Sequence, residues 1–388
     1  MANNTSIQEG LMKHRILGFI EGTKRKPTVV LMAGIHGNEK AGVEASKKVL
    51  HKIREENIPF RGNLYVILGN VNALKKGVRY EHVDLNRIWN KEMLVAIEKN
   101  SILPNAEAKE QFEIYRIVHE ILKKDSGPFY FLDLHTTSSP SIPFITISDS
   151  LNNRKFSANF PVPVVLGIEE YLDGPFLTFI NEYGHIALGF EGGQHTDIQS
   201  VKNCEAFIWL ALVETKCIAK DAISNFIQYE KELLQWYPKE EFFEINYRYN
   251  LYDGEKFTMD KGFQNFEAIT KNQHLAKSNG KDILAPKEGR IFMPLYQELG
   301  EDGFFVLQKI SKFWLKLSLV ARKLKINNFL RLIPGVEKDP TNNYTLIADP
   351  DIAKFYNKEL FHLFGYRKQI IKDHKLHFIK RDRKVTEF

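Results

Sequence analysis

One stretch limits what this chain can fold into more than any other: Pro27-Thr-Val-Val-Leu-Met-Ala-Gly-Ile-His-Gly-Asn-Glu39. An apolar run broken abruptly by Gly34, Gly37 and Asn38 predicts a buried strand that ends in a tight turn. The residues delivered at that strand end are His36 and Glu39. Lying three apart, one closing the strand and the other opening the next helix, they can turn to one point across a glycine-rich turn. Two His and one Glu form a common catalytic zinc set that leaves a fourth position to water. The same residues also read as an ordinary turn, with a solvated His and a Glu favoured by the helix dipole. The rest of the chain has to decide.

The pattern of strand, then polar loop, recurs. A helix is expected from Glu39 to Asn57, then a buried strand Leu64–Leu68. A polar stretch follows, Gly69 to Asn90, holding Arg79 and the run Asp84-Leu-Asn-Arg87. Ile114, Ile117, Val118, Ile121 and Leu122 have the spacing of an amphipathic helix over 107–124, read as packing rather than chemistry. Phe129 to His135 reads as another buried strand, in which Asp133 and His135, two apart, share a face. Further strands are expected at 144–147, 162–166 and 186–191, the last ending in Glu191 before Gly192 and Gly193, with one long helix from Cys204 to about Leu234. Alternating strands and helices predict an α/β fold whose mixed sheet is flanked by helices, and in such sheets function gathers at strand ends.

With 388 residues, 43% of them apolar, the chain is long enough for two cores. The texture changes after about residue 240 to short β-like pieces, so the expected division is a catalytic domain, 1–240, and a smaller β-rich domain, 241–388, with a basic helical tail. That tail combines an amphipathic helix, 311–332, with a basic end, 367–384, where His374 and His377 read as exposed. A net charge of +6 with interspersed signs does not indicate nucleic-acid binding, yet suits a small anionic substrate. Cys204 and Cys217 read as core thiols of a reduced protein. The N-terminus is polar and no stretch has the apolar length to span a bilayer, so the expected location is the cytoplasm. Whether the chain forms a homo-oligomer is left open.

His36-Gly-Asn-Glu39, Arg79 with Asp84-Leu-Asn-Arg87, Asp133-Leu-His135 and a glycine-flanked Glu191 occur in one order. Together, over about residues 15–235, they resemble the succinylglutamate desuccinylase and aspartoacylase family, a branch of the zinc carboxypeptidase fold. The resemblance implies one Zn2+ per chain, with His36, Glu39 and His135 as ligands and Glu191 handling protons. It further implies Arg79 at the scissile carbonyl, Asn86 and Arg87 holding a substrate carboxylate, and Asp84 or Asp133 behind a ligand imidazole. One departure stands out. Relatives acting on doubly acidic substrates carry an Arg upstream of the proton-handling Glu, whereas 177–190 here contains no Lys or Arg. The stretch 285–294 resembles the relatives' second domain, where it narrows the pocket mouth, and Tyr296 beside it could reach the site.

The expected activity is therefore hydrolysis of the amide bond of an N-acyl amino acid. Two rivals are a metallocarboxypeptidase, which an open groove would favour, and a non-catalytic module that binds metal or ligand on the same scaffold.

Overall fold

A computed structural model describes residues 14–388 except 92–93, 96, 98–103, 238–240, 298–299, 353–357 and 373. The polar N-terminal residues read above lie outside the described residues.

Strand β2 (Thr28–Ala33) is buried at every position, which its uninterrupted apolar sequence requires. It lies between β3 (Asn63–Leu68) and β4 (Phe129–Thr137), parallel to both. A strand inside a parallel sheet is covered on both faces, so apolar residues are needed at odd and even positions alike. Val29, Leu31 and Ala33 enter one core with Val49, Ile53, Leu134 and Trp209. Val30 and Met32 enter the other with Ile114, Val118 and Phe131. Helices α1 (Ala41–Glu55) and α2 (Ile198–Glu214) supply the first layer, and α3 (Ala106–Lys124) the second. Each fully buried Leu, Ile or Val contributes on the order of 1.5–3 kcal/mol.

The sheet continues beyond these strands. Its eleven described strands include β1 (Ile16–Glu21), β5 (Phe144–Ile147), β6 (Val164–Leu166), β7 (Ile186–Gln194) and β8 (Phe242–Asn250). The order is β1-β3-β2-β4-β7-β5-β6-β8 and then three strands, 302–309, 289–292 and 268–269. Strand β8 pairs parallel to β6, so the sheet runs without interruption across residue 240. Beyond it lie a three-stranded sheet and a four-stranded one, the latter built from 336–338, 345–348, 366–372 and 375–380.

Two expectations are corrected. The helix expected over 204–234 is two, α2 and Phe226–Leu234, separated by a turn in which Lys216 and Asn225 take positive φ, 63° and 57°. No Gly or Pro marks that break in the sequence. The basic tail is not helical throughout. A helix, Lys312–Lys323, is followed by a short 3-10 stretch, Ile326–Leu332, and 366–372 pairs with 375–380 as two strands. There His377 is half-buried, 3.9 Å from Asp339.

Asp149, fully buried beyond β5, ties the tail to the main sheet. It pairs with Arg154, while Arg322 donates to its main-chain oxygen at 2.7 Å and Arg367 to its carboxylate at 2.8 Å. Burial works against this charge, but Arg154, Arg367 and Arg322 overcome it and hold the carboxyl far below the usual range.

Candidate metal centre and active site

The turn after β2 is shaped by two glycines. Gly34 takes φ +72°, and a Cβ on Gly37 would fall 2.1 Å from the main chain of Ala73. That close approach brings the turn against the loop carrying Arg79, whose carbonyl accepts from Gly37 N at 3.1 Å. At the neighbouring strand end, the main-chain N of Thr136 donates to Glu39 Oε2 at 2.9 Å and fixes that carboxylate.

His36, Glu39 and His135, all buried, offer ligand atoms within 4.8 Å of one another. His36 Nδ1 is 2.8 Å from one Glu39 oxygen and His135 Nδ1 is 3.1 Å from the other. The opposite ring nitrogens each face a different carboxylate, His36 Nε2 at 3.0 Å from Asp84 and His135 Nε2 at 2.9 Å from Asp133. Asp84 thus backs His36 with a hydrogen bond, while Asp133, whose oxygens make none, faces His135 as an ion-pair partner. A carboxylate behind each ring leaves both Nδ1 atoms turned toward Glu39, the arrangement a metal-binding His needs. Two imidazoles and a carboxylate suit a divalent ion of borderline softness.

Glu191 is the neighbour of His135 across the β4–β7 ladder. Its carboxyl is buried, and one oxygen, Oε2, has no hydrogen-bond partner. Burial pushes its pKa up to about 8, with Glu39 and Asp133 adding to the rise and His135 opposing it. Burial also opposes the charge of Glu39, yet the two imidazoles, His36 foremost, hold that carboxyl well below the usual range. Arg79 donates to Asp84 at 2.9 Å and lies 3.5 Å from Glu39.

The loop that carries Arg79, Asp84, Asn86 and Arg87 is held by helix α3. Buried Glu107 accepts from Asn70, from Glu81 N and from His82 N, and Gln111 donates to the carbonyl of Ile88. The helix read as packing alone therefore also anchors the site. Asp84 caps the short turn Leu85–Arg87 by accepting from Asn86 N at 2.8 Å, and Asn86 accepts from Phe176 N at 2.9 Å.

These residues open into one cleft of about 170 Å³. Its lining includes Glu191, Arg79, Asn86 and Arg87, and, from beyond residue 240, Met293, Leu295, Gln297 and Phe305. Tyr296 is not in it: its hydroxyl donates to the carbonyl of Asp260. His82 is mostly exposed, and His185 packs between Phe129 and Phe131. Sequence reading missed His195, which lines the cleft with Nδ1 2.7 Å from the Thr136 hydroxyl. It directly follows β7, which carries Glu191, and a strand end is the signal that could have found it.

Residues 25–203 match the succinylglutamate desuccinylase/aspartoacylase catalytic domain. A succinylglutamate desuccinylase of Photorhabdus laumondii is 30% identical over 149 residues, 37% of this chain and 44% of that protein. A probable aspartoacylase of Acaryochloris marina is 30% identical over 165 residues, 40% of this chain and 52% of that protein. The chain thus spans about half the length of these curated relatives. A solved succinylglutamate desuccinylase of Vibrio parahaemolyticus shares the fold, with a TM-score of 0.57 at 15% identity, over 78% of this chain and 94% of that one. The motifs His36-Gly-Asn-Glu39 and Asp133-Leu-His135 lie inside the matched span, so over residues 25–203 this chain is similar to the succinylglutamate desuccinylase/aspartoacylase catalytic domain.

Proposed function

We propose that this chain is a zinc-dependent amidohydrolase that cleaves the acyl group from a small N-acyl amino acid. The observation that carries the reading is the convergence of His36, Glu39 and His135 beside the buried, unpartnered carboxylate oxygen of Glu191. One Zn2+ would be held by His36, Glu39 and His135, where it would supply Lewis acidity and lower the pKa of water to about 7.

The chain's own groups do the rest. Glu191 takes a proton from the water that adds to the amide carbonyl carbon, then returns it to the nitrogen as the C–N bond breaks. The products are a carboxylate and an amine. The Arg79 guanidinium stabilises the oxyanion that develops on the carbonyl oxygen. Arg87 and Asn86 hold a substrate carboxylate, for which a guanidinium fork and an amide are suited. Asp84 and Asp133 orient the two imidazoles. Residues 1–240 form the catalytic domain in this reading and 241–388 the second, whose residues Met293, Leu295, Gln297 and Phe305 wall the cleft. That wall favours small substrates over the peptides of a carboxypeptidase. Cleft residues Ile168, Leu172, Leu177 and Thr178 carry no cation, which favours acyl groups without a carboxylate of their own.

The test is a panel of N-acyl amino acids offered to zinc-loaded protein, with succinyl and uncharged acyl groups side by side and C-terminal peptides as the rival class. Arg87→Ala is expected to raise KM for carboxylate substrates about 10- to 100-fold, the worth of a charged hydrogen bond. Zinc binding without turnover of any panel member would favour the non-catalytic module instead.

A further inference from the structure

The helix Lys312–Lys323 is amphipathic, but its apolar stripe faces away from the protein. The inward side mixes small, apolar and polar groups: Leu315 packs against the main core and Ala321 is buried. Buried Ser318 donates to the carbonyl of Leu363 at 2.7 Å, and buried Arg322 reaches Asp149 and Asp382. On the outward side Phe313, Leu317, Val320 and Leu324 recur at i, i+4, i+7 and i+11, one stripe of a helix. All four are exposed, Phe313 by 66% and Leu324 by 67%, and Trp314 beside them by 55%. The 3-10 stretch that follows adds Phe329 and Leu332, exposed by 63% and 74%. So dense a run of large apolar side chains in water marks an interaction surface rather than scattered exposure.

Charge narrows the partner. No Asp or Glu occurs between Gly303 and Val336, while Lys312, Lys316, Lys323, Lys325 and Arg331 are all exposed there. A second copy would bring five more cations against these five, so the face is ill-suited to self-association. A nucleic acid would neutralise the cations and leave the apolar stripe unfilled. A leaflet of anionic lipid answers both: Phe, Trp and Leu enter the boundary between headgroups and acyl chains, and the lysines reach back to the headgroups. Among the described residues no helix is long and apolar enough to cross a membrane, so the helix would lie on the surface.

We propose that the outward face of Lys312–Lys323 and the following stretch to Leu332 seats this protein on an anionic lipid surface. The test is co-sedimentation of the full chain with phosphatidylcholine vesicles, with and without phosphatidylglycerol. Binding is expected only to the phosphatidylglycerol vesicles, weakening as salt rises, with a blue shift in tryptophan emission that Trp314→Phe removes. Lys316→Gln lowers the partition coefficient about five-fold, and Phe313→Ser about ten-fold or more. Both variants keep the thermal midpoint, since neither side chain is buried. Absence of binding to phosphatidylglycerol vesicles at low salt overturns the proposal, as does unchanged binding by Phe313→Ser. Concentration-dependent self-association that Phe313→Ser abolishes, without vesicle binding, would make this face a contact between copies and also overturn it.

Discussion

Two buried clusters of charge invite comparison: one around Asp149, the other around Glu39. Asp149 has both carboxylate oxygens matched by guanidinium groups, from Arg154, Arg322 and Arg367. Around Glu39 four carboxyls gather, those of Glu39, Asp84, Asp133 and Glu191, with Arg79 as the guanidinium bonded among them and one Glu191 oxygen unpartnered. The first cluster is closed by its own side chains. The second gathers more buried acid groups than guanidinium groups to match them, an excess that a cation from outside would offset. The contrast teaches that pairing within the fold marks a structural clamp, and that an imbalance held rigidly in place marks a site built to receive something.

The sharpest way to break this contrast is Glu191→Gln. Activity is expected to fall about 10²- to 10⁴-fold while zinc content, read by elemental analysis, and the thermal midpoint stay unchanged. Unaltered turnover would remove Glu191 from the chemistry. Asp149→Ala should do the reverse. Removing the carboxylate shared by Arg154 and the buried Arg322 and Arg367 costs about 3–5 kcal/mol in urea unfolding, while zinc per folded molecule is unaffected. If that variant lost zinc and kept its stability, the two clusters would not be separable. Next comes the metal itself. Zinc at a hundredfold excess over its dissociation constant should add about 3 kcal/mol to the stability of the stripped protein, seen as a higher melting temperature. A melt indifferent to zinc would sink the metal reading.

The smallest effect comes from a buried titratable group with no charge opposite it. Burial lowers His185 from its ordinary 6.5 to about 4. Between those values the unfolded chain binds more protons than the folded one, so stability is full above pH 6.5 and falls as the pH drops through the window. The expected loss between pH 7 and pH 5 is about 2 kcal/mol, and His185→Gln should flatten it in denaturant titrations at the two pH values.

Much of this was legible in the sequence. The apolar runs 29–33 of β2 and 129–132 of β4 declared themselves because strands covered on both faces need apolar residues at successive positions. His36, Glu39 and His135 were readable because glycine turns and strand ends leave local marks. What stayed hidden depended on contacts between distant residues. Nothing near Glu107 announces that its carboxylate holds the loop 81–82. Nothing near Lys216 announces a left-handed turn, which any residue adopts when packing demands it. The strands within 367–380 read as a basic tail, since their partners lie elsewhere in the chain.

The link from Asp149 to Arg322 and Arg367 spans 173 and 218 positions. Synthesis runs from the N-terminus and domains tend to fold as they emerge, so the first two hundred residues leave the ribosome with this acid still lacking two of its three cations. The ion cluster around Asp149 therefore closes only once residue 367 has emerged, long after the sheet that holds the acid.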